Sequence, residues 1–240
     1  MQLDIWSDVA CPWCAVGRAH LQQALEHLAE RDGVQAPTVT VRWRSFELDP
    51  SAPAVREGDH VQRLADKYGM SRSRADAMVQ QMQERGRALG LDFDFGRLRP
   101  GNTFDAHRLL HLAHERGVQD ALKERLFRAY FAEGVAVGRP DELVAVAVDA
   151  GLDEDEVREV LASDRYADAV RADERAAAQL QIRGVPFFVV DERYGVSGAQ
   201  PPEVMVQVLG EAWQKRLRSP AEGAAASDPA TACGPEGCEV

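Results

Sequence analysis

Two cysteines three positions apart stand where an alternating apolar run gives way to a helical one. Residues 2–8 read as a strand, and from Cys11 to Glu30 the positions Val16, Leu21, Leu25 and Leu28 carry the spacing of a buried helix face. Cys11-Pro12-Trp13-Cys14 therefore opens a helix directly after a strand. A sulfur at a helix start faces unpaired backbone N–H groups and the positive end of the helix dipole. Both favour the thiolate, which is the reactive form of cysteine. Cys11 is expected to attack and to be the more exposed of the two. Cys14, one turn on, is expected to resolve the mixed disulfide. Pro12 suits a first helical turn, where a missing N–H costs nothing. Trp13 offers apolar surface to a substrate chain.

The remaining pattern decides what surrounds this junction. Over residues 38–46, Val39, Val41 and Trp43 alternate with Thr40, Arg42 and Arg44, the period of a half-buried strand. From about 59 to 182 there is no strand pattern, only amphipathic helices with start and stop residues. Ser71, Asn102 or Thr103, and Pro140 suit helix starts, and Gly90, Gly117 and Gly151 suit helix ends. Strand character returns in Val185–Val190, with Tyr194–Ser197 placed to pair with it across a tight turn. Pro201 and Pro202 then start a last helix running to Arg218. The order β-α-β, helices, β-β-α predicts an α/β protein with a thioredoxin fold interrupted by a large all-helical insertion. The expected division is 1–54, 55–182 and 183–218, followed by a tail at 219–240 too poor in apolar residues to order itself.

Composition narrows the function. A net charge of −11 with no basic stripe argues against a nucleic-acid partner. No segment approaches the roughly 20 apolar residues of a membrane span, and no basic-then-apolar leader precedes the first strand, so a cytoplasmic setting is expected. There, four cysteines point to redox or metal chemistry rather than to structural staples. A CxxC is also half of a zinc site, but its only possible complement is a distant pair in the tail, and redox chemistry is the favoured reading. No metal is expected. His107, His111 and His114 fall on one helix face as a metal site would need, yet such a set is more often a solvated stripe.

Two further features bear on a substrate. Pro186 lies in a run that otherwise reads as a central strand, where proline breaks the ladder. A cis Val185-Pro186 bond facing the CxxC resolves this and leaves the Val185 backbone free to align an extended substrate. An edge strand with a trans proline is the alternative. In the tail, Cys233 and Cys238 flank the turn-forming Gly234-Pro235-Glu236-Gly237. A flexible link of about 15 residues spans roughly 20–25 Å, so this pair is expected to serve as a second, tethered dithiol at about millimolar effective concentration. A frayed end of no consequence is the alternative.

Together, Ser7-Asp8 with Cys11-Pro12-Trp13-Cys14 and Gly17, the segment Asn102-Thr103-Phe104-Asp105-Ala106-His107-Arg108-Leu109, Gly184-Val185-Pro186-Phe187-Phe188, and Val196-Ser197-Gly198-Ala199-Gln200 resemble the FrnE branch of the DsbA-like family over nearly the whole chain. The resemblance implies a thiol–disulfide oxidoreductase or disulfide isomerase with no prosthetic group, acting on protein or small-molecule thiols and disulfides. It also implies a cis proline opposite the dithiol and a CxxxxC tail, and it suggests His107 as a residue lining the substrate groove. The chain is similar as well to 2-hydroxychromene-2-carboxylate isomerases, which use glutathione as co-substrate but typically carry serine where Cys11 stands. In thioredoxins and DsbA proteins an acidic residue six positions before the first cysteine relays the proton of the second. Here that position is Ile5. Asp8 is the nearest carboxylate and is expected to cap the helix, which leaves the base for Cys14 unassigned.

Overall fold

In a computed structural model of the protein, which describes residues 1–218, the expected order of elements is present. Strand β1 (Gln2–Ser7) leads through a three-residue loop and Cys11 into helix α1 (Pro12–Asp32), and β2 (Thr40–Ser45) follows. The helices α2 (His60–Tyr68), α3 (Arg72–Ala88), α4 (Phe104–Glu115), α5 (Gln119–Arg128), α6 (Pro140–Asp149), α7 (Glu154–Leu161) and α8 (Ala167–Gln179) come next. Then β3 (Phe187–Val190), β4 (Tyr194–Ser197) and α9 (Pro202–Arg218) complete the described chain. Their limits fall where the start and stop residues put them. The Ser71 side chain caps α3, Pro140 begins α6, and Gly151 takes a left-handed φ just past α6. Asn102 rather than Thr103 supplies the side-chain cap of α4, its Oδ1 accepting from Phe104 N at 2.8 Å.

The strands form one mixed sheet in the order β2-β1-β3-β4, with β1 parallel to β2 and antiparallel to β3. This is the thioredoxin arrangement expected from the sequence. Alternation along β1 separates its two faces. Leu3 and Ile5 join Leu21, Leu28, Phe188, Met205 and Leu209 in an apolar layer beneath α1 and α9. Trp6 faces the other way and packs with Ala177, Ile182 and Val189 under α8. Helix α8 is thus the cover of the sheet's second face. The expected division at residue 182 would cut it from the strands it buries.

The other inserted helices build their own core, in which Leu109, Leu112, Leu122, Leu126 and Leu143 are fully buried. That core is continuous with Val9, Cys11, Cys14, Ala15 and Val16, so the inserted helices meet the sheet at the dithiol. Gln119 at the start of α5 clamps the free edge of β2. Its side-chain amide accepts from Trp43 N and donates to Trp43 O, both at 2.9 Å, where a further strand would otherwise pair.

Candidate active site

Cys11 is the N-cap residue of α1, in extended conformation, with Pro12 as the first helical residue. Its carbonyl accepts from Cys14 N at 3.0 Å, so the first turn of helix folds directly over the two sulfurs. Both cysteines are free thiols. Cys14 is fully buried, and Cys11, expected as the exposed member, is only 5% exposed. The physical reason is the segment opposite. The Val185-Pro186 bond is cis, and the Cys11 thiol donates to the Val185 carbonyl at 3.5 Å. Pro186 is seated against α1 at Gly17, where a Cβ would lie 2.9 Å from the proline Cγ and 3.3 Å from Phe188 Cζ. No larger residue at position 17 would leave the two segments this close. Trp13 stands out into solvent, 42% exposed, with the Arg85 guanidinium 5.0 Å over its ring.

The two thiols are driven apart in acidity. The Cys14 side chain donates a hydrogen bond to Cys11, which lowers the Cys11 pKa. Backbone N–H groups of Cys14 and Trp13 add to this, against burial and the Asp8 charge. Burial pushes Cys14 well above the ordinary cysteine range, and its bond to Cys11 and the charge there push the same way. A pair so separated has one member ready to act as a nucleophile and one held back as a thiol.

Beneath the sulfurs lies a set of buried charges. Asp8 does not cap α1, because its carboxylate turns inward. Oδ2 accepts from Leu48 N at 2.8 Å, and Oδ1 lies 3.3 Å from His107 Nε2. Burial alone would raise the Asp8 pKa, but His107 and the Leu48 N–H outweigh it and hold the group below its usual value. His107 is fully buried, so it does not line a substrate groove as the resemblance suggested. Burial lowers its pKa against the pull of Asp8. With Nε2 donating to the carboxylate, Nδ1 is left buried and without a partner among the described residues. Nor do the three histidines of α4 form a solvated stripe. His111 is buried 3.2 Å from Asp173, and only His114 is exposed. Among the described residues no group of three or more His, Cys, Asp or Glu is placed to hold a metal ion. Cys233 and Cys238 lie outside the described residues.

One member of this set was missed in the sequence. Lys123 on α5 is fully buried, its Nζ 3.4 Å from the Ser7 carbonyl and 5.0 Å over the Phe127 ring. Burial lowers its pKa to about 8, against the charges of Cys14, Asp8, Cys11 and Asp120. A signal for it exists in the sequence. Residues 119, 122, 123, 126 and 127 are the buried positions of α5 and follow an inward-facing helical stripe, and Lys123 is the charged residue in it.

The model of the DSBA-like thioredoxin domain matches residues 2–210. The chain belongs to that family. A relative, the protein YwbO of Bacillus subtilis, is 27% identical over 219 residues, covering 90% of this chain and 99% of its own. The crystal structure of a probable DsbA oxidoreductase from Streptomyces coelicolor is 48% identical, covers 100% of this chain and 99% of its own, and superimposes with a TM-score of 0.85. A 2-hydroxychromene-2-carboxylate isomerase, 16% identical with a TM-score of 0.57 and coverage of 91% and 98%, shares the fold. No helix among the described residues is long and apolar enough to cross a membrane.

Proposed function

We propose that this DSBA-like chain is a thiol–disulfide oxidoreductase in which Cys11 and Cys14 exchange two electrons with a substrate disulfide or dithiol. The observation that carries the reading is the position of Cys11, at a helix N-terminus with a lowered pKa and in contact with the carbonyl before a cis proline. In the reducing direction the Cys11 thiolate attacks one sulfur of a substrate disulfide. The first substrate thiolate leaves and takes a proton from water. Cys14 then loses its proton and attacks Cys11, forming the Cys11–Cys14 disulfide and releasing the second substrate thiolate. Oxidation of a dithiol is the reverse, and isomerisation is attack by Cys11 followed by release of a different substrate pairing. Val185 supports alignment of an extended chain, since its N–H has no hydrogen-bond partner among the described residues and its carbonyl holds only the Cys11 thiol. Pro12 and Trp13 lie between the two cysteines in the chain, and Trp13 is exposed enough to press against a bound chain.

The test is insulin reduction by the full chain. Cys11→Ser is expected to reduce turnover to background, and Cys14→Ala to accumulate substrates covalently held on Cys11. Retained activity toward a small aromatic substrate with glutathione in Cys11→Ser, and no loss of disulfide turnover, would instead identify a glutathione-dependent isomerase. We extend the reading to Cys233 and Cys238 as a second dithiol that re-reduces the Cys11–Cys14 disulfide. The double change Cys233→Ser, Cys238→Ser is expected to slow turnover with external reductant while leaving the first, single-turnover reduction intact. The cytoplasmic setting is tested by fractionation of cells that express the full chain.

A further inference from the structure

We propose that Lys123, brought under the dithiol by the inserted helix α5, is the acceptor of the Cys14 proton in the resolving step. The inference rests on the dithiol reading above and supplies the base that it lacks. Ile5, where a carboxylate would serve in thioredoxins, is fully buried in the apolar layer with Leu3 and Phe188 and can take no proton. Asp8 is poorly suited. Its oxygens already accept from Leu48 N and lie against His107, and a carboxylate stabilised in this way is a weak base. Lys123 is differently placed. Its Nζ donates to the carbonyl of Ser7, the last residue of the strand that leads into the Cys11–Cys14 turn. Of the charges acting on Lys123, that of Cys14 is the strongest attractive one, and the Lys123 charge in turn favours Cys14 ionisation.

The lysine is also poorly satisfied for a purely structural group. Its single hydrogen bond, at 3.4 Å, goes to a backbone carbonyl, and the rest of the ammonium faces the rings of Trp43 and Phe127 at 5.4 and 5.0 Å. Of the two carboxylates on its own helix, Asp120 is engaged by Arg18 and by Trp43 Nε1, and Glu124 by Arg18. The ionisable groups that face it are Cys14 and Cys11 from the start of α1, Asp8 from the loop before it, His107 from α4 and Asp120 from α5. Proton transfer from the Cys14 thiol to the neutral amine converts two buried neutral groups into an attracting thiolate–ammonium pair, so the site gains no net charge. The thiolate then forms the Cys11–Cys14 bond, the Cys11–substrate bond breaks, and the substrate leaves as a thiolate. The proton stays on Nζ, favoured there by the Asp8 charge, until the dithiol is regenerated. With its pKa near 8, the amine is available as a base close to neutral pH.

The test uses the full chain with Cys233→Ser and Cys238→Ser, so that one dithiol reports, and a chromogenic aromatic disulfide as substrate. Attack by Cys11 releases the first coloured thiolate and resolution by Cys14 the second. Lys123→Met and Lys123→Gln, close to lysine in size, are expected to leave the first phase within about twofold and to slow the second about 100-fold or more at pH 7, the usual worth of a positioned base. The second-phase rate of the parent should level off near pH 8, whereas in both variants it should keep rising at higher pH. A melting temperature that does not fall in Lys123→Met excludes loss of fold as the cause. A second phase of unchanged rate and pH dependence in either variant overturns the assignment of Lys123. Two-phase release that survives in Cys11→Ser overturns the dithiol reading itself, so the two failures are distinguishable.

Discussion

The two faces of the sheet are built on different principles. Under α1 and α9 the layer is apolar, with Leu3, Ile5, Leu28, Phe188, Val190 and Leu209 essentially removed from water and no charged residue among them. Such a layer is held by area and close packing, and one apolar residue can replace another of similar volume at modest cost. Under α8 the sheet buries charge. Arg44 lies 2.6 Å from Asp4 and 3.0 Å from Asp173. Asp173 also accepts from Ser45 N at 3.0 Å and lies 3.2 Å from His111. Trp6 Nε1 donates to the Asp173 carbonyl at 2.9 Å. Here the groups form a network of specific partners, and removing one member leaves the others short of a partner. The lesson is a division of labour. The apolar face supplies cohesion, while the polar face fixes where the inserted helices dock, and docking brings α4 and α5 with His107 and Lys123 beneath the dithiol.

Substitutions on each face sharpen that contrast. Phe188→Ala, which opens a cavity in the apolar layer, is expected to cost about 3–5 kcal/mol in chemical denaturation, with no change in the pH dependence of stability. Asp173→Ala is expected to cost about 2–4 kcal/mol, less than a fully buried pair because Arg44 keeps some access to solvent. Its pH dependence distinguishes it. The Asp173 pKa is lowered on folding, since His111, Ser45 N and Arg44 together outweigh the opposing effect of burial. Its stabilisation is therefore present above the unfolded value of about 4 and is lost as pH falls through the folded one. The parent should show an acid-side loss of stability that Asp173→Ala shows less steeply. If Phe188→Ala instead changed the acid limb and Asp173→Ala did not, the division between the faces would be wrong.

The smallest effect has the opposite sign. Lys123 has a folded pKa below its unfolded one, so the unfolded chain binds more protons and stability rises as pH increases from about 8 toward about 10.5. Below that window the buried ammonium is a burden. Lys123→Met is therefore expected to stabilise the fold by about 1–3 kcal/mol at pH 7, read from denaturant midpoints, even as it slows resolution. A destabilised Lys123→Met would mean that the lysine belongs with Asp173, as a docking group.

What the sequence made legible was local. The strand–CxxC–helix junction, the alternation in β1 and β2, the Gly and Pro punctuation of the helices and the proline before β3 all depend on neighbours within a few residues, and each was found where the pattern put it. The polar underside was not legible, because its partners are far apart in the chain. Asp8 meets His107 across 99 positions, Lys123 meets Ser7 across 116, and Arg44 meets Asp173 across 129. Asp8 followed by a helix reads as a cap, and only the docking of α4 turns the carboxylate inward. His107 inside a motif reads as a groove residue for the same reason.

The account depends most directly on the acidity of Cys11, and that is measured by the pH dependence of alkylation with iodoacetamide in the reduced chain carrying Cys233→Ser and Cys238→Ser, with the modified residue located by mass spectrometry. Cys11 should react first, with an apparent pKa below the ordinary cysteine value of about 8.5, while Cys14 stays unmodified throughout the neutral range. Reaction of Cys11 at or above that ordinary value, or modification of Cys14 ahead of it, would contradict the account.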